Sequence, residues 1–183
     1  MEAYRRNAIG RGSTVVLVIS LLLGCSMHSG TGNPTARPMH VDSVKFDPNS
    51  DSFVLLLTER GGEGRELLIL IGESEAYSIA RGIDEIKLPR PNTHDLIKNL
   101  LTGMDGHIER VVVTELKNST FYAVIDVEIK GRRVSIDARP SDAIAIAVRT
   151  GTTVYAEEEV LRSAGEFPES GPAREIDWRP ASF

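Results

Sequence analysis

Apolar and polar residues alternate in a pattern of strands followed by a helix, and this pattern occurs twice along the chain. In the first half, it predicts three strands and then a helix, at 41–46, 53–58, 66–71 and 74–81. In the second half, the same order returns at 110–115, 121–129, 133–138 and 141–149. Glycine- and asparagine-containing turns separate the strands at hairpin spacing, which favours antiparallel pairing.

The two halves are related as an internal repeat. Shifting the chain by 67 positions aligns residues 40–80 with 107–147 and gives ten identical residues without a gap, among them Ser74 with Ser141. A short amphipathic helix follows each copy, over 93–101 and over 157–163, and a strand over 153–156 precedes the second of them. The predicted fold class is therefore α+β, in which a duplicated strand-strand-strand-helix unit forms a mainly antiparallel sheet with helices packed on it.

The N-terminal residues predict a lipoprotein signal peptide over 1–24. Arginines at positions 5, 6 and 11 precede a short apolar run over 15–23, and Cys25 follows as in a bacterial lipobox. Cys25 would then be lipidated, which anchors the protein in the bacterial cell envelope on the periplasmic or surface side. The alternative is a buried N-terminal helix with an incidental cysteine. The remaining organisation is a flexible tether over 25–39, a domain over 40–163 and an irregular tail over 164–183.

Composition excludes some kinds of site. The formal net charge is −5 and only 5% of the residues are aromatic, so the chain has no general attraction for phosphate backbones and few stacking platforms for bases. Removal of residues 1–24 takes away three arginines and one glutamate and makes the charge more negative. No Walker loop, HExxH, cysteine pair or GxSxG is present, so the sequence shows no dedicated metal site.

Three polar segments, at 72–75, 88–95 and 137–142, are candidates for chemistry or for helix capping. Ser74 and Ser141 are predicted to cap the two repeated helices, and either Asn92 or Thr93 to cap the helix between them. The pairs Ser74/Ser141 and Glu75/Asp142 recur in both copies, which is typical of structural residues. By contrast, Asp137, Arg139 and Pro140 occur only in the second copy, so chemistry is expected there. His94 and Asp95 open the intervening helix, where a tuned histidine could act as acid or base.

Three stretches resemble the bifunctional nuclease (BFN) domain family: IGESEAYSIARG, LPRPNTHDLIKNLL and FYAVIDVEIKGRRVSIDARPSDAIAIAVRTGTTVYAEEEVL. They occur in order, and the resemblance extends from Val41 to Leu161. The positions that match the family's signature are Glu75, Arg90, Pro91, Thr93, His94, Asp95, Asp137, Arg139, Pro140, Ser141 and Asp142. The resemblance implies DNase and RNase activity, nucleic acid as partner and a homo-oligomer. The lipobox is a departure from the family pattern.

These residues support two hypotheses. In the first, the protein is a nuclease with catalytic residues Asp137, Arg139, Asp142, His94 and Asp95 and substrate-binding residues Arg90, Arg139 and Ser141. The arginines would clamp phosphate, and the aspartates would act as base or hold Mg²⁺, which is a candidate cofactor only if they converge. In the second, the protein is a non-enzymatic envelope lipoprotein that binds a protein or small ligand, and Arg139 forms a buried ion pair with Asp137 or Glu75.

Overall fold

The computed structural model describes residues 35–48 and 50–164, together with the backbone of 174–175. The predicted signal peptide, Cys25 and most of the predicted tether and tail lie outside the described residues. Strand β1 begins at Ala36, so residues 36–39, which were assigned to the tether, belong to the sheet. The reason is that Met39 is a core residue, only 2% exposed, and pairs with strands on both of its sides.

The described chain forms four α-helices and a sheet with seven strands in one continuous path. The strands are β1 (Ala36–Asp47), β2 (Ser52–Glu59), β3 (Glu66–Ile71), β4 (Gly106–Lys117), β5 (Thr120–Ile129), β6 (Arg132–Ala138) and β7 (Val154–Glu157). A further strand of two residues, β8 (Arg174–Glu175), pairs with β1. The helices are α1 (Glu73–Ile83), α2 (Thr93–Gly103), α3 (Pro140–Thr150) and α4 (Glu158–Ala164). No helix in the described residues is long and apolar enough to cross a membrane.

The strand order reproduces the sequence repeat. It runs β3-β2-β1-β7-β4-β5-β6, so each copy contributes three neighbouring strands and β7 lies between the copies. Strand β7 is antiparallel to β1 and parallel to β4, and every other neighbouring pair is antiparallel. Strands β1 and β4 therefore run in opposite directions, as a two-fold axis through the sheet requires. The predicted α+β fold with a duplicated unit is confirmed.

The hairpins follow from local sequence. Asn118 and Ser119 form the loop between β4 and β5, and Lys130 and Gly131 form the loop between β5 and β6. All four have a positive φ, between 50° and 75°, which matches the twist of two-residue hairpins. Each copy also carries a β-bulge, between Val41 and Ser43 in β1 and between Ile108 and Arg110 in β4. The two bulges are 67 residues apart, as the repeat requires. These bulges interrupt the alternation of side chains at equivalent points of the two copies.

The core lies between the sheet and a central pair of helices, α1 and α3. The alanines at 143, 145 and 147 of α3 are almost completely buried, as are Ala76 and Ile79 of α1. Small side chains let the two helices approach closely. Gly82 of α1 marks the tightest contact, because a Cβ there would lie 2.5 Å from Cγ2 of Val148. The close packing of α1 on α3 places their N-termini side by side, and this positions the site described next.

A candidate active site at three helix N-termini

Helices α1, α2 and α3 bring their first turns to one cluster of polar side chains. Only α2 has a side-chain cap there. The side chain of Asn92 accepts a hydrogen bond from the backbone N–H of Asp95 at 2.9 Å, and Asp95 accepts one from the backbone N–H of Asn92 at 3.0 Å. Of the two caps predicted for this helix, Asn92 is the correct one.

The predicted caps at Ser74 and Ser141 are wrong. Helices α1 and α3 begin one residue earlier, after Gly72 and Arg139, and neither helix has a capping hydrogen bond between the side chain of its cap residue and its first backbone N–H groups. Ser74 and Ser141 are therefore second residues inside their helices. The early start of α3 has a simple cause: Pro140 is its first residue, where the fixed φ of proline suits a helix and the missing N–H is not needed.

Arg139 joins the two copies of the repeat through their equivalent carboxylates. Its Nε donates to Oδ2 of Asp142 at 2.7 Å, and its Nη2 donates to Oδ1 of Asp142 at 3.0 Å and to Oε1 of Glu75 at 2.9 Å. Glu75 and Asp142 are the third residues of α1 and α3, so they occupy the same place in each copy. The side chain of Arg139 remains 66% exposed. Its charge is thus fixed in position and open to solvent.

His94 holds Asp142 from the buried side. Its Nε2 lies 3.3 Å from Oδ1 of Asp142, and its Nδ1 lies 2.8 Å from Oγ of Ser78. Ser78 Oγ already accepts hydrogen bonds from Asn92 Nδ2 at 3.2 Å and from Arg149 Nη2 at 2.9 Å. A hydroxyl oxygen has two lone pairs, so the Ser78 proton must be donated to Nδ1 of His94. The neutral histidine therefore carries its proton on Nε2 and donates it to Asp142.

Arg149 anchors this network, and local sequence patterns do not single it out beyond its place near the end of α3. It donates to Asp95 Oδ1 at 2.6 Å, to the backbone oxygen of Ala145 at 2.6 Å and to both oxygens of Ser78. Its side chain is only 7% exposed. The equivalent position in the first copy is Gly82. Arg149 is thus special to the second copy, as Arg139 is, and that comparison could have identified it.

The carboxylates of the cluster are held ionised. Burial raises the pKa of Asp142, but hydrogen bonds from Arg139 and His94 and the charge of Arg139 outweigh it, and the pKa lies below its ordinary value. A hydrogen bond from its own backbone N–H lowers the pKa of Glu75, and Arg139 lowers it further against the effect of burial. Burial raises the pKa of Asp95, but hydrogen bonds from the Asn92 backbone and from Arg149 outweigh this effect, so the pKa is again lowered. The two carboxylates that it contacts, Asp142 foremost, raise the pKa of Arg139.

The other residues named from the sequence lie outside this cluster or play a different part. Asp137 lies exposed on β6, where it pairs with Val124, and Arg90 is exposed in the segment before α2. Neither side chain makes a hydrogen bond or ion pair within the described part of the chain. Ser141 is buried at the start of α3, and Asp95 binds Arg149. The ion pair of Arg139 is formed with Glu75 and Asp142, and it is exposed.

The repeated pair Glu75 and Asp142 therefore does more than favour two helix starts. Their recurrence in both copies indicated a structural role. In the folded protein, the two equivalent carboxylates hold one arginine between two helices. These carboxylates and His94 do not form a group of three with metal-ligand spacing; in the described residues, the one such group lies elsewhere, on β4 and β5.

Comparison with known proteins agrees with this architecture. The model of the bifunctional nuclease domain matches residues 54–169, more than half of the chain. An uncharacterized protein of Mycobacterium tuberculosis (strain H37Rv) is 40% identical over 127 residues, which cover 69% of this chain and 75% of that protein. Bifunctional nuclease 1 of Oryza sativa subsp. japonica is 24% identical over 174 residues, covering 90% of this chain and 47% of the rice protein.

A second plant relative, bifunctional nuclease 2 of Arabidopsis thaliana, is 26% identical over 132 residues, which cover 70% of this chain and 39% of that protein. This chain thus spans less than half of either plant protein. The matched region includes α1, α2 and α3 and all the residues of the cluster around Arg139. The chain belongs to the bifunctional nuclease domain family.

Proposed function

We propose that the protein is a nuclease that hydrolyses phosphodiester bonds of DNA and RNA at the cluster around Arg139. The observation that carries the proposal is the state of Arg139: its guanidinium is oriented by Asp142 and Glu75, yet two-thirds of the side chain faces solvent. The Nε–H group and both N–H groups of Nη2 are donated to these carboxylates, which leaves the two N–H groups of Nη1 to bind a phosphate oxygen. The family of the domain supports the same substrate class.

Each residue of the cluster has a part in the proposed reaction. Arg139 binds the phosphate and offsets charge that develops on its oxygens. Asp142, kept ionised, accepts a proton from the attacking water as the new bond to phosphorus forms. The bond to the leaving oxygen breaks, and that oxygen takes a proton from solvent. His94 is a positioning residue, because its Nε2–H holds Asp142 in place.

Two helix starts at the cluster favour an anion, against the negative charges of Glu75 and Asp142. Helices α1 and α3 have no side-chain cap, so their first backbone N–H groups and the positive ends of their dipoles are directed towards the cluster.

Arg90, exposed just before α2, is proposed to contact the substrate beyond the scissile bond. Asp95 acts through Arg149, and Ser141 is proposed to bind substrate through its backbone. Asp137, exposed on β6, is proposed to contact the part of the substrate that extends past this strand. Whether Mg²⁺ assists is decided by assay with and without it.

The test compares Arg139→Ala with Arg162→Ala in the purified full chain. Arg162 is a matched control, since it is 65% exposed and pairs with a carboxylate three residues away. We expect Arg139→Ala to reduce kcat/KM on single-stranded DNA and RNA by about 10²-fold or more, as for loss of a charge-stabilising donor. Asp142→Asn is expected to do the same, and Arg162→Ala to have no effect.

The alternative is that the protein is an envelope module which binds a ligand without turnover. Thermal melts of the same variants distinguish this alternative from the nuclease proposal. The engagement of Arg139 by two carboxylates is the observation that favours this alternative. An exposed ion pair contributes only roughly 0–1 kcal/mol, so the nuclease proposal expects Arg139→Ala to melt close to the wild type. Loss of stability without any measurable hydrolysis, in the wild type as well, would support the alternative.

We also propose that the protein is a lipid-anchored envelope protein, held by Cys25. The support is the sequence pattern of a charged start, a short apolar run and the cysteine. In bacterial cells that express the full chain, we expect the wild type in the membrane fraction and Cys25→Ala in the soluble fraction. Incorporation of labelled fatty acid by the wild type alone is the second readout. Equal fractionation of both proteins would contradict the anchor.

A further inference from the structure

A second group of ligating side chains lies on the hairpin of β4 and β5. His107 and Glu109 come from β4 and Glu128 comes from β5, and one ligand atom of each lies within 4.8 Å of the others. His107 and Glu128 are directly opposite in the strand register. Glu109 is the extra residue of the β-bulge between Ile108 and Arg110, which brings it to the same place. This group shares no residue with the cluster around Arg139.

The internal repeat supplies a comparison within the same molecule. The first copy has the same bulge and equivalent residues, His40 and Asp42, whose Nε2 and Oδ1 atoms are 3.8 Å apart. There, however, the residue opposite the histidine is Thr58 rather than a carboxylate. Nδ1 of His40 is instead 3.1 Å from Nη2 of Arg60. The histidine and the bulge carboxylate are thus common to both copies, and a third ligand is present in the second copy alone.

We propose that His107, Glu109 and Glu128 bind a divalent transition-metal ion of the Zn²⁺ class. One imidazole and two carboxylates suit zinc, whereas Mg²⁺ prefers oxygen ligands alone. Three protein ligands on two paired strands leave at least one coordination position for water. The site lies at the surface, because His107 is exposed and both glutamates are partly exposed, so an ion can enter without opening the fold.

Arg133 lies at this group of side chains and forms ion pairs with two of them. Its Nη2 lies 2.9 Å from Oε1 of Glu109 and its Nε lies 3.8 Å from Oε2 of Glu128. The side chain of Arg133 is 59% exposed, so it can move away when an ion arrives. It neutralises two carboxylates that would otherwise repel each other, and it competes with the metal. We therefore expect that removal of this positive charge strengthens zinc binding.

Isothermal titration of ZnCl₂ into the full chain tests the site. We expect His107→Ala and Glu128→Gln each to weaken binding by roughly tenfold or more, since even residues that only support ligands have effects of that size. His40→Ala is the matched control, from the same position of the first copy, and is expected to bind as the wild type does. Arg133→Ala is expected to bind more tightly. Residues 1–34 contain Cys25 and His28, so the differences among variants carry the result.

Three outcomes would overturn the proposal: no zinc-dependent heat, equal binding by all variants, or equal losses from His40→Ala and His107→Ala. The nuclease assay is a separate readout. If Arg139→Ala abolishes hydrolysis while His107→Ala leaves zinc binding unchanged, the metal site fails and the nuclease proposal stands. Conversely, specific zinc binding by a protein without hydrolytic activity would support the site and contradict the nuclease.

Discussion

Ser78 shows how the role of a side chain depends on its neighbours. In sequence, it is one small polar residue on the second turn of a helix. In the structure, it is buried and accepts from Asn92 and Arg149, so that its own proton is directed to Nδ1 of His94. One hydroxyl thereby fixes the tautomer of a histidine and directs the opposite ring nitrogen to Asp142. This hydrogen-bond chain links three helices.

Substitution of Ser78 tests this chain. We expect Ser78→Ala to destabilise the protein by about 1–3 kcal/mol, because buried donors of Asn92 and Arg149 lose an acceptor. We also expect the ¹⁵N shifts of His94 to change from those of a pure Nε2–H tautomer to those of a mixture. Ser74→Ala is the control, since Ser74 is exposed and, within the described residues, its hydroxyl hydrogen-bonds to Glu75 alone. An unchanged His94 spectrum in Ser78→Ala would contradict the tautomer assignment.

At the scale of elements, the contact between α1 and α3 controls the site. The two helices hold Glu75 and Asp142 at equivalent places, and Arg139 spans them only because the helices lie close together. Gly82 permits this distance, since an added Cβ would meet Val148 at 2.5 Å and Nη1 of Arg149 at 3.0 Å. Its role is steric room, because its backbone is not in the left-handed region.

A pair of glycine substitutions measures this contact. We expect Gly82→Ala to destabilise the protein by about 1–3 kcal/mol through overpacking of α1 on α3. Gly103, the last residue of α2, has no atom within 4 Å of an added Cβ. Gly103→Ala is therefore expected to stabilise by up to roughly 1 kcal/mol through its helix propensity. Denaturant unfolding followed by circular dichroism gives both values, and equal effects of the two changes would contradict the steric explanation.

At the scale of the whole molecule, the two copies differ in how their edge strands are covered. Leu67 and Ile69 of β3 are 0% and 3% exposed, and α4 packs against this strand. The equivalent residues of β6, Val134 and Ile136, are 47% and 46% exposed. Helix α2 also exposes apolar side chains, namely Leu96, Ile97 and Leu100. Among the residues that the structure describes, nothing packs over the apolar side chains of the edge strand β6, whereas α4 packs against its counterpart.

We predict that a second copy of the chain covers this surface, with α2 of each protomer placed on β6 of the other. Such a reciprocal contact has the form of a two-fold interface, and it would supply the helix that α4 supplies in the first copy. Leu100→Glu and Ile136→Glu are expected to convert the oligomer to monomer in light scattering after size-exclusion chromatography. Leu70→Glu is the control on the opposite edge, at a side chain 65% exposed. A monomeric wild type would contradict the prediction.

The fold class and the repeat follow from the sequence, and most element bounds are predicted to within two residues, although β1 and β4 begin at Ala36 and Gly106, well before the predicted starts at 41 and 110. Local backbone geometry sets the hydrophobic period, which is two residues in a strand and three to four in a helix. The 67-residue repeat shows each of these patterns twice. The capping box at Asn92 and the two-residue hairpin turns were also predictable, since these depend on residues a few positions apart. The starts of α1 and α3 were missed by one residue, because Ser and Asp are common near a helix start as well as at the cap.

Which residues meet depends on how the helices pack on one another and on the sheet. Arg139 and Glu75 are 64 residues apart and Arg149 and Ser78 are 71 apart, so no local pattern could pair them. Their contacts depend on the packing of α1 on α3. Small core residues permit this packing, but the sequence pattern shows only that these residues share one face of each helix. The same packing left Asp137 exposed on β6 while bringing Glu75 to Arg139. Periodicity is a local property of the chain, whereas the convergence of three helix N-termini is a property of the packed core.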